Sequence, residues 1–329
     1  MTLELRFLGQ SQVLLNGRDL AGELGAKPLA LIAYLASAAP ARLARGTLAG
    51  LFWTDKSEEA SRYRLRHTLW DLRRTLGKDL LLSDEGACWI CPGEDVWIDV
   101  QEFRAGCRAL GVDGKASKPE HPQQLSELVC LYRGDLLGDL AVREAPLFEE
   151  WLLAERERLQ LLYLESLWRL AKAQMADGSL SEAAGSLARL IEADPLRERS
   201  YRALMGVHRR LDDRSAALRV YNQCASTLAA ELGVAPSPAT QLVRGAIAEG
   251  GTETARAEME RAAALLREGR GQDAWAACAS LESIAFDPVI LSQAALLRAE
   301  IALAEGRQGE SLSLVQRARL ALQNLAFRG

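Results

Sequence analysis

The sequence predicts a mainly α protein in which a small α+β unit at the N-terminus precedes an all-helical array. Three observations carry this expectation. Residues 2–20 alternate apolar and polar side chains and break at Gly9-Gln10 and at Asn16-Gly17, as short antiparallel strands do. In residues 57–78, Leu65, Leu69, Leu72 and Leu76 recur at helical spacing, with arginines on the other side. Alanine and leucine then dominate the later two thirds, broken by small or polar turns at repeating intervals.

Taken in order, the alternating segment reads as a small antiparallel sheet. Lys27-Pro28 opens LALIAYLASA as a first helix, proline being acceptable in a first turn. Pro40 and Arg42 lead into a second helix, ARGTLAGLFW, ending near Trp53. Asp55 and Ser57 are both good N-cap residues for the arginine-rich third helix. LLLS and ACWIC then flank Asp84-Glu85-Gly86 as a β-hairpin. Sheet, helix, helix, basic helix and hairpin is the order of a winged helix-turn-helix, whose third helix enters a DNA groove while the hairpin touches the backbone beside it.

Between Lys56 and Lys78 there are seven basic residues against three acidic ones, Glu58, Glu59 and Asp71. Tyr63, Arg66, His67, Trp70 and Arg74 fall opposite the leucine stripe, with Arg62, Arg64 and Arg73 flanking them. Arginines interleaved with aromatics suit a major groove. The same composition also suits an ordinary solvated face, and the order of surrounding elements favours DNA. Arg62, Tyr63, Arg66 and His67 lie in the half expected to meet bases, and Arg73 and Arg74 in the half expected to meet phosphates. Trp70 is expected to pack on the hairpin, a deoxyribose or a second copy, and Arg64 to pair with Glu58 or Glu59.

Gly111–Gln124 lacks apolar periodicity and reads as a linker. Beyond it, helices end in turns at Asp177-Gly178, Asp212-Asp213, Gly269-Arg270-Gly271 and Gly306-Arg307. Gly178 and Asp212 are 34 residues apart (212 − 178), and Gly269 and Gly306 are 37 apart (306 − 269), which fits tetratricopeptide-like helical hairpins. Ala193-Asp194-Pro195 and Phe286-Asp287-Pro288 close helices in two units. Such pairs bury their apolar faces only by stacking into a solenoid, whose groove takes a peptide or a small effector. The expected divisions are 1–105 (winged helix), 106–250 (tetratricopeptide-like helices) and 251–329 (further repeats).

The 329 residues are 49% hydrophobic, 26% charged and 6% aromatic, an ordinary globular composition. A net charge of −4 argues against wholesale nucleic-acid coating but leaves room for a local basic patch. No run is long enough to span a membrane, and no signal-peptide layout opens the chain, so a cytoplasmic location is expected. Six scattered cysteines suit reduced thiols. Cys88 and Cys91 form a C-x-x-C, but in a strand their side chains diverge and no second pair follows, so no metal site is expected. No Walker loop, GxSxG or HExxH is present. Gly269-Arg270-Gly271 mimics a dinucleotide fingerprint but follows a helix, so it reads as a repeat turn. No catalytic residue and no cofactor are expected, and the protein is not expected to be an enzyme.

FLGQSQVLLNG near the N-terminus, Leu51-Phe52-Trp53, Leu72-Arg73-Arg74-Thr75-Leu76-Gly77 and Leu131-Tyr132-Arg133-Gly134-Asp135-Leu136-Leu137 follow one another along the chain. In these motifs the chain resembles the Streptomyces antibiotic regulatory protein type of transcriptional activator, which joins a winged helix to a bacterial transcriptional activator domain. Trp151 with Glu155-Arg156, Asp194-Pro195-Leu196-Arg197-Glu198 and Glu231-Leu232-Gly233-Val234-Ala235-Pro236 complete the set over about residues 1–250. The hairpin departs from the family, with Gly86-Ala87-Cys88-Trp89 where a glycine is usually followed at once by an aromatic. The resemblance implies side-by-side homodimers on direct repeats in promoter DNA. It also implies recruitment of RNA polymerase through the loop before the third helix, here Thr54, Asp55, Lys56 and Ser57. The alternative is a protein-interaction scaffold whose winged domain docks a protein instead of DNA.

Overall fold

A computed structural model describes residues 2–77, 81–90, 93, 95–112, 122–248, 252–284 and 288–326. Lys78, Cys91, His121, most of the expected linker and Phe286-Asp287 lie outside the described residues. The chain divides into two compact units, Met1–Leu170 and Ala171–Gly329.

In the first unit, β1 (Leu3–Arg6) runs antiparallel to β2 (Gln12–Leu15), with Leu5 opposite Val13 and both buried. Asn16 and Gly17 turn the chain into β3 (Arg18–Asp19), both with positive φ (49° and 84°), as a tight hairpin turn requires. α1 (Ala26–Ala38) buries Leu29, Leu31, Ile32 and Leu35. β4 (Leu43–Ala44) leads directly into α2 (Arg45–Phe52), and α3 (Glu58–Leu76) follows the Thr54–Ser57 loop. β5 (Leu82–Ser83) and β6 (Ala87–Trp89) form the expected hairpin. Asp84 Oδ1 shapes its turn, accepting from the amides of Gly86 (2.9 Å) and Ala87 (2.7 Å).

Two pairings correct the sequence reading. β4 adds to β6, so Leu43 and Ala44, expected at the entrance to the second helix, are instead sheet residues. β7 (Val96–Ile98) lies parallel to β1, so the N-terminal sheet, ordered β3-β2-β1-β7, is mixed rather than antiparallel. Parallel pairing is made by a long crossover and carries no local turn signal.

α4 (Asp99–Ala109), α5 (Pro122–Leu131) and most of α6 (Pro146–Asp177) complete this unit. α5 begins inside the segment read as a linker. Asp99, only 1% exposed, ties three segments together. Its Oδ2 accepts from the amides of Phe7 (2.8 Å) and Leu8 (2.9 Å) and from Arg133 Nη2 (3.1 Å), and Oδ1 accepts from Val100 N (2.8 Å). Burial outweighs these donors and holds its carboxyl above the usual range. The Leu131–Leu137 motif crosses the end of β1: Leu137 N donates to Phe7 O (2.8 Å) and Gly9 N to Asp135 O (3.0 Å). Gly9 is needed there, because its φ is +102° and a Cβ would lie 3.1 Å from the Arg133 carbonyl carbon. Arg156 closes the assembly, donating to Leu136 O and Leu137 O at 2.7 Å each.

The second unit is helical: α7 (Leu180–Ala193), α8 (Glu198–Arg210), α9 (Arg214–Leu232), α10 (Pro238–Ala248), α11 (Thr252–Arg267), α12 (Gly271–Ile284), α13 (Pro288–Ala304) and α14 (Gln308–Ala326). The four expected inter-helix turns are all present, each with a left-handed residue: Gly178 (φ 88°), Asp212 (59°), Gly269 (76°) and Gly306 (77°). Gly269-Arg270-Gly271 is thus a repeat turn. Ala262, Leu265, Ala274, Ala277, Cys278 and Ile301 form a core shared by α11, α12 and α13, the stacking that helical hairpins require. Glu198, at the start of α8, ties that helix to the start of α10 by accepting from Ser237 N (2.9 Å), Ser237 Oγ (2.7 Å) and Thr240 Oγ1 (2.5 Å). No described helix is long and apolar enough to cross a membrane.

Candidate nucleic-acid interface

α3 is placed by its leucine stripe. Leu65, Leu69, Leu72 and Leu76 are all buried, together with Ser61 on the same side. Ser61 Oγ donates to Trp53 O at 2.9 Å, which locks the start of α3 to the end of α2. Ser57 is the N-cap, accepting from Ala60 N at 3.4 Å, and Gly77 (φ 96°) ends the helix. Glu58 and Glu59 in the first turn and Arg73 and Arg74 in the last complement the helix dipole.

The face opposite the stripe is open. Tyr63 is 64% exposed and Trp70 57%, and Arg62, Arg64, Arg66, His67 and Arg74 are exposed as well. Six expected site residues therefore share one outward surface: Arg62, Tyr63, Arg66, His67, Trp70 and Arg74. Arg62 pairs with Glu58 at 2.5 Å, the partner expected for Arg64. Both ends of that pair are exposed, so it contributes about 0–1 kcal/mol and is easily exchanged for another anion. Arg66 has no ion-pair partner among the described residues. Asp71 accepts from His67 Nδ1 at 2.9 Å and lies 3.8 Å from Arg74. At the exposed Trp70, the Arg74 guanidinium stacks over its ring at 4.9 Å and the His67 ring lies 6.2 Å away.

Arg73 does something else. It is half-buried and aimed at the hairpin, with Nε donating to Leu81 O at 3.2 Å and Nη2 donating to Ser83 Oγ. Arg64 lies toward the other edge, lining a shallow hollow of about 680 Å³ with Lys27 and Trp53. The loop residues Thr54, Asp55, Lys56 and Ser57 are exposed. A hydrogen bond from Lys56, followed by its charge, holds the Asp55 carboxyl below the usual range.

Three cations near this surface escaped sequence reasoning. Lys27 caps α2, donating to Phe52 O at 3.1 Å. Arg42 pairs with Asp84 and stacks over Trp89 at 4.1 Å, and Arg45 reaches Ser83 Oγ at 3.4 Å. Arg42 and Arg45 flank a two-residue strand that has no periodicity to reveal it. Among the described residues no cluster of His, Cys, Asp and Glu could hold a metal. Cys88 is buried in β6.

Three helices, a hairpin and an arginine-faced third helix, followed in sequence by helical hairpins, have the element order of a winged helix-turn-helix with a helical-repeat region. Residues 98–248 match the family model of the bacterial transcriptional activator domain. The transcriptional regulatory protein MoaR1 of Mycobacterium tuberculosis is 29% identical over 245 residues, 72% of this chain and 76% of that protein. The regulatory protein AfsR of Streptomyces griseus is 28% identical over 209 residues, which cover 59% of this chain and 19% of that much longer one. Among solved structures, that of Mycobacterium tuberculosis EmbR in complex with a low-affinity phosphopeptide superposes with a TM-score of 0.57 at 22% identity. The match covers 75% of this chain and 65% of that one, and it speaks for the fold alone. Residues 98–248 thus match a bacterial transcriptional activator domain, and the chain is similar to transcriptional regulators of the Streptomyces antibiotic regulatory protein type, not to enzymes.

Proposed function

We propose that the protein is a cytoplasmic activator that binds specific promoter sequences through α3. One observation carries the reading: every leucine of the stripe is buried, while Arg62, Tyr63, Arg66, His67, Trp70 and Arg74 share one exposed face. On this reading Arg62, Tyr63, Arg66 and His67 meet base edges, and Arg74 and Trp70 contact the sugar-phosphate backbone. Arg64 reaches the flanking strand, and Arg73 acts by holding the hairpin against α3. Two copies bind side by side on direct repeats, and Thr54, Asp55, Lys56 and Ser57 meet RNA polymerase. Residues 1–105 act on DNA, 106–250 on activation, and 251–329 extend the helical groove for a peptide or effector.

Fluorescence anisotropy on upstream DNA, with a scrambled competitor and a salt series, tests this. Affinity should fall with salt by about 0.9 log units per log unit for each phosphate neutralised. Arg66→Ala should cost about 1–3 kcal/mol, roughly 5- to 150-fold, and lower sequence preference. Equal binding to scrambled DNA, or none, would leave the interaction scaffold as the better account.

A further inference from the structure

Away from α3, the first unit holds a cleft of about 790 Å³ between α1, α4 and α6, within the size range of small-molecule sites. One wall is apolar: Tyr34, Trp151, Val112 and Leu161, the last 62% exposed with nothing covering it among the described residues. The other wall is cationic. Arg104 is fixed in the floor, donating to Ser37 O at 2.5 Å and paired with the buried Glu155. Arg158 shares Glu155 at 3.4 Å, so one carboxylate serves two guanidinium groups. The remaining acid, Glu165, is taken by Arg169 at 3.2 Å. Arg108 has no acidic partner among the described residues. Burial, then the charges of Arg158 and Arg108, push the Arg104 guanidinium down from its usual value, a sign of converging positive charge.

We propose that this cleft binds a small amphipathic anion, a carboxylate or sulfonate on an aromatic or short aliphatic body. Arg108 and Arg158 hold the head, and Trp151 and Leu161 take the body. Nothing in the DNA reading requires this site. The cleft does have a route to the surface of α3. Trp151 packs edge-on against Tyr34 (4.5 Å), Tyr34 against Phe52 (6.2 Å) and Phe52 against Trp53 (6.0 Å), whose carbonyl holds Ser61.

The test uses the full chain with anilinonaphthalene sulfonate as a fluorescent probe, displaced by naphthoate or by neutral naphthamide. One-to-one saturable binding is expected, with naphthoate displacing the probe far better than the amide. The double variant Arg108→Gln/Arg158→Gln should weaken naphthoate at least about tenfold with little change in melting temperature. Leu161→Glu, at an exposed position, places a carboxylate at the mouth and should weaken both anions while leaving the fold intact. Absence of saturable binding, equal displacement by acid and amide, or indifference to both variants would overturn the proposal.

Discussion

Arg66 and Arg73 lie two turns apart on one helix and have separate roles. Arg66 points outward, whereas Arg73 donates to Leu81 O and Ser83 Oγ and so joins α3 to the hairpin. Arg73→Ala should remove about 0.5–1.5 kcal/mol per hydrogen bond. In a unit of this size that lowers the melting temperature by several degrees, at about 2–4 °C per kcal/mol. Arg66→Ala should stay within about 0.5 kcal/mol of wild type in the same thermal melt and lose only DNA affinity. If both variants melt alike, the division of roles is wrong. Gly9 is constrained in another way: at φ +102° and 3.1 Å from Arg133 backbone, a methyl group has neither the conformation nor the space. Gly9→Ala should therefore destabilise the first unit by more than about 1 kcal/mol, readable by urea unfolding.

Among the elements, α8 and α10 are joined through Glu198. Burial works against its charge, but the donors from Thr240 and Ser237 outweigh it and hold the carboxyl below the usual range. A folded-state pKa below the unfolded one contributes stability above the usual carboxylate range, lost as pH falls through the folded value. Wild type should thus lose stability as pH falls through and below the usual carboxylate range, and Glu198→Gln should flatten that slope while lowering stability at neutral pH. Equal slopes for the two proteins would remove Glu198 as the cause. α4 plays a comparable joining role in the first unit. Gln101 donates to Ala36 O and Ser37 O at 2.9 Å each, and with Arg104 satisfies the last carbonyls of α1.

For the whole molecule, a net charge of −4 and a basic α3 face are compatible because DNA meets a local surface. If Arg74 and Arg64, joined by Lys27 and Arg42, neutralise two to four phosphates, the log–log salt dependence should have a slope of about −2 to −4. A slope near zero on cognate DNA would contradict the assignment of that face.

Local periodicity was enough to read much of this protein. The leucine stripe of α3, the Asn16-Gly17 turn, the Asp84–Gly86 hairpin and the four repeat turns are all written in neighbouring residues, because helices and tight turns are decided within a few positions. The outward set on α3 followed from the same helical geometry. What had no local signature was decided by partners distant in sequence. β7 lies parallel to β1 across a crossover of some ninety residues, and β4 is a strand only because β6 lies beside it. Arg73 faces inward because Ser83 and Leu81 are there to receive it. The cleft between α1, α4 and α6 likewise comes from side chains more than a hundred residues apart, and a single segment cannot announce a surface that only three packed helices create.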